Sequence, residues 1–379
     1  MAASTTSRYD RPRMDPAQFT AAGLYDPTAP NAAARLAFLD WLASRGVTIE
    51  QMIQAERETS LTALASDLSL RSGPRLSARD VARRHDLTVE QVLALSLAAG
   101  LSPQAPDDPM YVEEDAALFA SFVDASKLFG EAATRRFIRV VGSSVARIAE
   151  AAITLYQVNV EGPLRASGGS ELELATKNVR ATDLLAGVRE MLQGLLGGHM
   201  ERATRLFREA RSRYSADTVT LGVGFVDLVG FTPLAHRMPA RELAEVIERF
   251  EDAAYDIATA RDGRVVKLIG DEVMFVTRDP GAACDIALTL IERFAGDPAV
   301  TPRGGLAHGE LLQRGGDYYG PIVNLASRVA QIAVPNELLV TTDLAATAAR
   351  SGALRFEPAG KRMLKGLDDP VPLLTVARG

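Results

Sequence analysis

Gly224-Phe225-Val226-Asp227-Leu228-Val229-Gly230-Phe231-Thr232 is the stretch whose reading decides the fold. With Leu221-Gly222-Val223 ahead of it, it opens as a short apolar run with the character of a buried strand. The run stops at an acid, Asp227. Gly230 then permits a tight backbone turn, and Pro233 suits the first turn of a helix. A carboxylate at a strand end, followed by amides at a glycine turn and a helix start, suits a metal-bound polyphosphate. The carboxylate holds a hard cation, while the N–H groups and the positive end of the helix dipole face phosphate oxygens. An Asp in this place also serves as an ordinary cap or turn residue, so the reading depends on what the rest of the chain supplies.

The chain has 379 residues, which is long for one hydrophobic core, so two domains are expected. Its net charge of −6 argues against an affinity that rests on neutralising nucleic-acid phosphates. Cys284 is the single cysteine, which rules out an intrachain disulfide and fits a reducing cytoplasm. Uncharged apolar stretches such as Val92 to Leu101 fall short of the ~20 residues needed to cross a bilayer, so no membrane span is expected.

Residues 1–30 are rich in Ala, Ser, Thr, Pro and Asp without an apolar period, and read as a disordered tail. Residues 31–205 carry helical periodicity throughout, and no strand with turn chemistry occurs among them. Thr48 with Gln51, Ser77 with Asp80 and Thr88 with Gln91 are spaced as capping boxes. The pair over Ser77–Leu101 resembles a helix-turn-helix. Its second helix, however, offers Val92, Leu93, Leu95, Leu97 and Leu101, with almost no base-reading donors beyond Gln91. Residues 206–217 read as a charged helical linker, with Gly197-Gly198 as a hinge ahead of it.

At Thr218 the pattern changes to strands and helices in the order β-α-β-β-α-β, that of a ferredoxin-like sheet with additions, over residues 218–379. The fold class is therefore α+β, with an all-helical N-terminal domain. Asp271 follows Gly270 at the tip between two short strands, where its carboxylate is expected to be exposed. Two acids from two strand ends of one sheet, Asp227 and Asp271, are what a two-metal phosphoryl-transfer site requires; the alternative is two unrelated turn acids. Asn324 and Arg328, at i and i+4, share a helix face and together suit a ribose oxygen and a phosphate.

Three stretches resemble the signatures of class III nucleotidyl cyclases: Phe225 to Thr232, Val266-Lys267-Leu268-Ile269-Gly270-Asp271-Glu272, and Asp317-Tyr318-Tyr319-Gly320-Pro321-Ile322-Val323-Asn324-Leu325-Ala326-Ser327-Arg328. Leu364-Lys365-Gly366 resembles a fourth. The helical half is similar to the regulatory domain of soluble actinobacterial adenylate cyclases, one of which is inhibited by that domain and activated by acid. The resemblance implies an adenylate cyclase that makes cyclic AMP and pyrophosphate from ATP. Asp227, Asp271 and the Leu228 carbonyl would bind two Mg²⁺ or Mn²⁺ ions per site, and Gly230, Phe231 and Thr232 would face the phosphates. Lys267 and Asp317 would read adenine, Asn324 would orient the ribose, Arg328 would stabilise the transition state and Lys365 would neutralise the terminal phosphates.

The family site is built from two chains, and this sequence holds both residue sets, so a homodimer is implied. The short run from Gly309 to Asp317 matches the subclass with an abbreviated dimerisation arm. Glu310 stands where some relatives carry a phosphate-contacting Arg, so either it points away or another base such as Arg303 substitutes. Regulation would pass through the helical domain, by pH (His199 beside Gly197-Gly198) or by a small-molecule or lipid ligand. The competing readings are a catalytically silent ATP-binding sensor and a helix-turn-helix regulator with a cyclase-like domain.

Overall fold

The computed structural model describes residues 14–70, 73–102, 105–210, 218–297, 299–349 and 352–379. The chain divides into two units, Met1–Leu206 and Phe207–Gly379. Among the described residues no helix is long and apolar enough to cross a membrane.

The first unit is helical: α1 (Pro16–Ala21), α2 (Ala32–Ser44), α3 (Ile49–Glu58), α4 (Leu64–Leu70), α5 (Ala78–Arg84), α6 (Val89–Ala98), α7 (Glu113–Phe129), α8 (Glu131–Tyr156), α9 (Gly162–Ala166) and α10 (Glu171–Ala210). A π-helical turn, Gln157–Glu161, joins α8 to α9. The three expected capping boxes form at Thr48, Ser77 and Thr88. The expected tail is corrected from residue 14 onward. Asp15 caps α1 by accepting from the Ala17 N–H at 2.9 Å, Pro16 presets the first turn, and Phe19 is fully buried beside Leu24, Phe38 and Leu39. One apolar anchor is too little to show as periodicity. Residues 1–13 and most of the expected linker, 211–217, lie outside the described residues. Gly197 and Gly198 sit inside α10 with no break in the helix at that point.

Helices α5 and α6 pack against the rest of the helical unit. A Cβ added at Gly142 of α8 would meet the Ala99 carbonyl oxygen at 2.3 Å, so α8 abuts the end of α6. Val92 of α6 is buried with Tyr111 and Phe119, and Ser96 Oγ lies 2.8 Å from the Tyr111 hydroxyl.

The second unit runs β1 (Thr218–Val229), α11 (Phe231–Ala235), α12 (Ala240–Thr259), β2 (Arg264–Ile269), β3 (Glu272–Thr277), α13 (Pro280–Arg293), β4 (Thr301–Arg314), β5 (Asp317–Tyr319), α14 (Pro321–Ile332), β6 (Leu338–Thr341), α15 (Thr342–Ala348), β7 (Leu354–Arg362) and β8 (Val371–Arg378). The sheet order is β2-β3-β1-β4-β6-β8-β7, and β5 pairs with β4 off this path. The four strands of the expected βαββαβ core lie side by side and antiparallel, as a ferredoxin-like sheet requires. Strand alternation sends Val226, Leu228, Val273 and Phe275 into one cluster with Phe250 of α12 and Ile286 of α13. Val223, Phe225 and Met274 go to the opposite face, with Ala326 and Ala330 of α14. Gly305 allows that last contact, since a Cβ there would fall 2.0 Å from the Ala330 amide nitrogen. Two residues beyond Phe225, Asp227 therefore belongs to the α14 face.

Candidate active site

Asp227 follows the continuous buried run 221–226 of β1, a strand that extends past it to Val229, and register sets its neighbours. It stands opposite Glu272 on β3 and Arg303 on β4. Arg303 Nη2 and Nε donate to Asp227 Oδ2 at 2.8 and 3.0 Å, and Nη1 donates to the Gln331 carbonyl at 2.7 Å and to that of Ala333 at 3.2 Å. The guanidinium thus ties β1 and β4 to the end of α14. The Leu228 N–H donates to the Asp271 carbonyl at 3.3 Å, which brings the β2–β3 tip beside the end of β1.

Asp271 is not in open solvent as expected. Partial burial raises its pKa, and the nearby Asp227 charge adds to the rise. Glu272, half-buried against both aspartates, is pushed up to about 7, first by burial and then by the charges of Asp227 and Asp271. Three acids gathered around one arginine leave an excess of negative charge. Among the described residues no three His, Cys, Asp or Glu side chains close on one point as a metal cage. A two-carboxylate set short of a full shell is what a cation that also binds polyphosphate and water needs, so the donors fit Mg²⁺ or Mn²⁺ carried by a nucleotide. Gly230 adopts the left-handed φ of 79° that the expected turn requires, and Phe231 and Thr232 open α11 directly after it; the Thr232 side chain is outside the described part.

Lys267 and Asp317 of one chain are brought together. Lys267 Nζ donates to Asp317 Oδ2 at 2.7 Å, and Asp317 Oδ1 accepts the Tyr318 N–H at 2.8 Å. Burial opposes ionisation of Asp317, but the Lys267 hydrogen bond, the Tyr318 amide and the charges of Lys267 and Arg264 hold its carboxyl below the usual range. In α14, Asn324 is exposed and Arg328 half-buried. The Arg328 guanidinium packs against the turn that carries Lys365, with Nη2 at 3.4 Å from where a Gly366 Cβ would lie. Leu364, buried against Val329 of α14, anchors that turn.

Glu310 points away: its carboxylate accepts from Thr218 Oγ1 at the start of β1. It stands opposite Thr220, seven positions from Asp227, roughly 23 Å along the strand. Arg303, the base considered as a substitute, lies at the acid cluster instead. Two members of that cluster, Arg303 and Glu272, were not given roles at the acid pair by sequence reasoning. The only sequence signal for Glu272 is its place after Gly270-Asp271.

The chain matches two families end to end: residues 18–203 match the adenylate cyclase regulatory domain, and residues 213–374 the adenylate and guanylate cyclase catalytic domain. It is 33% identical over 321 residues to an adenylate cyclase of Streptomyces coelicolor, covering 84% of this chain and 76% of that one. The chain belongs to the class III adenylate cyclase family. An uncharacterised protein of Mycobacterium tuberculosis is 32% identical over 343 residues, 90% of each chain. A pH-sensitive adenylate cyclase of the same organism is 28% identical over 366 residues, 92% of this chain and 89% of that one. The solved adenylyl cyclase CyaB from P. aeruginosa superposes on 43% of this chain and 96% of its own, with 22% identity and a TM-score of 0.39.

Proposed function

We propose that this cyclase converts ATP to 3′,5′-cyclic AMP and pyrophosphate at two equivalent sites shared across a homodimer. The observation that carries the reading is the Lys267–Asp317 pair. It offers a donor for adenine N1 beside an acceptor for the exocyclic amine, whereas guanine reverses those groups.

The ribose 3′-oxygen attacks the α-phosphorus in line. A new O–P bond forms as the bond to the β-phosphate oxygen breaks; pyrophosphate leaves, and the 3′-hydroxyl proton passes to water. Asp227, Asp271 and the Leu228 carbonyl would hold two divalent ions, whose chemistry when bound is to acidify the 3′-hydroxyl and neutralise phosphate charge. Amides at Gly230, Phe231 and Thr232 take phosphate oxygens at the helix start. Asn324 fixes the ribose, Arg328 takes up charge developing on the α-phosphate, and Lys365 beside it meets the departing pyrophosphate. One chain carries both the acid set and the base-reading set, which supports a dimer in which each subunit completes its partner's site. The helical domain acts as the regulator, answering to pH or to a small-molecule or lipid ligand.

The test is to incubate the purified full chain with ATP or GTP, with Mg²⁺ or Mn²⁺, and to quantify cyclic nucleotide and pyrophosphate. Cyclic AMP and pyrophosphate in equal amounts are expected. Tight ATP binding with neither product would establish the silent sensor instead, and cyclic GMP as the main product would overturn the base assignment.

A further inference from the structure

We propose that Arg264 sets base selectivity as a positioning residue, latching the β4–β5 hairpin so that Asp317 meets Lys267. The inference rests on the reading of Lys267 and Asp317 as the adenine-contacting pair and identifies what holds that pair together.

The hairpin has little else to hold it. It contains three pairs, Leu312 with Tyr319, Gln313 with Tyr318, and Arg314 with Asp317. They are joined by Gly315-Gly316, both left-handed at φ 61° and 81°, as a two-residue turn of this kind requires. A ribbon this short is marginal by itself. Leu312, Gln313, Arg314, both glycines and Tyr319 are exposed, and only Tyr318 reaches the core. In the sheet, β3 and β1 separate β2 from β4. The hairpin therefore reaches Lys267 only by folding across the α14 face.

Arg264 grips the residues on either side of Asp317. Its Nη2 donates to the Gly316 carbonyl at 3.0 Å, and its guanidinium lies 5.1 Å from the centre of the Tyr318 ring. Tyr318 also donates its N–H to Asp317 Oδ1, so the position of the tyrosine sets the direction of the carboxylate. Arg264 and Lys267 occupy one strand, three positions apart. The strand that supplies the base donor thus also fixes the distance and orientation of the acceptor. Without the latch, the acceptor is mobile relative to the donor, and adenine loses its advantage over guanine.

The experiment compares the wild-type full chain with Arg264→Ala and Arg264→Lys. It measures kcat and KM for ATP and GTP, calorimetric binding of both nucleotides, and hydrogen exchange of the 314–319 amides. The alanine variant should bind ATP about tenfold more weakly. The loss should fall on KM rather than kcat, as for an interaction made equally in ground and transition states. Its preference for ATP over GTP should narrow, and the hairpin amides should exchange faster. Lysine, which keeps the charge but not the planar fork, should restore part of the difference. An alanine variant with wild-type ATP affinity, ATP-to-GTP ratio and hairpin protection overturns the latch. A wild type that makes no cyclic nucleotide overturns the catalytic reading instead. Nucleotide binding and exchange still test Arg264 in that case.

Discussion

Replacing Glu272 by Gln should stabilise the cyclase domain at and above neutral pH. Glu272 faces Asp227 across β1 and β3 and follows Asp271 in sequence. Burial, then the two aspartate charges, lift its carboxyl from 4.5 to about 7. The folded state therefore holds this proton more tightly than the unfolded chain. The associated stability is complete below about pH 4.5 and declines as pH rises through about 7, where the ionised carboxylate persists in an unfavourable place. At about 1.4 kcal/mol for each pH unit between the two values, the ionised form costs roughly 3 kcal/mol; solvent screening of this partly exposed group reduces that to about 1–2 kcal/mol.

Calorimetric unfolding of the full chain at about pH 5 and about pH 7.5 measures the difference. Trp41, the single tryptophan, lies in the helical unit and reports that unit's transition separately. Comparing wild type with Glu272→Gln at each pH cancels the other titrating groups. The variant should gain stability at the higher pH and little at the lower. Millimolar Mg²⁺ should narrow the gap by offsetting the excess negative charge. Equal stability of variant and wild type at the higher pH would refute the argument.

Asp227→Ala and Arg328→Ala should each be silent as homodimers. Subunit exchange between them should restore about a quarter of wild-type cyclic AMP formation, since half the dimers are mixed and one of their two sites is intact; no recovery despite proven exchange rejects shared sites. Gly305→Ala should cost about 3 kcal/mol, because the new Cβ meets the backbone of α14 at Ala330 at 2.0 Å. The same shift should displace Asn324 and Arg328, so thermal stability and kcat should fall together; a variant unchanged in both contradicts the packing.

The amino-acid sequence by itself determined much of the local structure and named the candidate site residues. Capping pairs placed the starts of α3, α5 and α6, because a side chain three residues away satisfies the orphan amides without tertiary help. The apolar run into Asp227, the left-handed Gly230 and the Asn324–Arg328 spacing were legible for the same reason: each is fixed within one strand or one helical turn.

Tertiary structure decided what depends on register and folding-over. Strand β5 has three residues, too few for a periodic signal, and exists because the Gly315-Gly316 turn returns it to β4. The Arg303–Asp227 pair and the lifted Glu272 arise where β1 aligns with β4 and β3, across separations of 76 and 45 residues. A slip of one residue in either pairing would place those side chains on opposite faces of the sheet. Local chemistry can name an acid or a base; only strand registration decides which charges share a space too small for all of them to ionise freely.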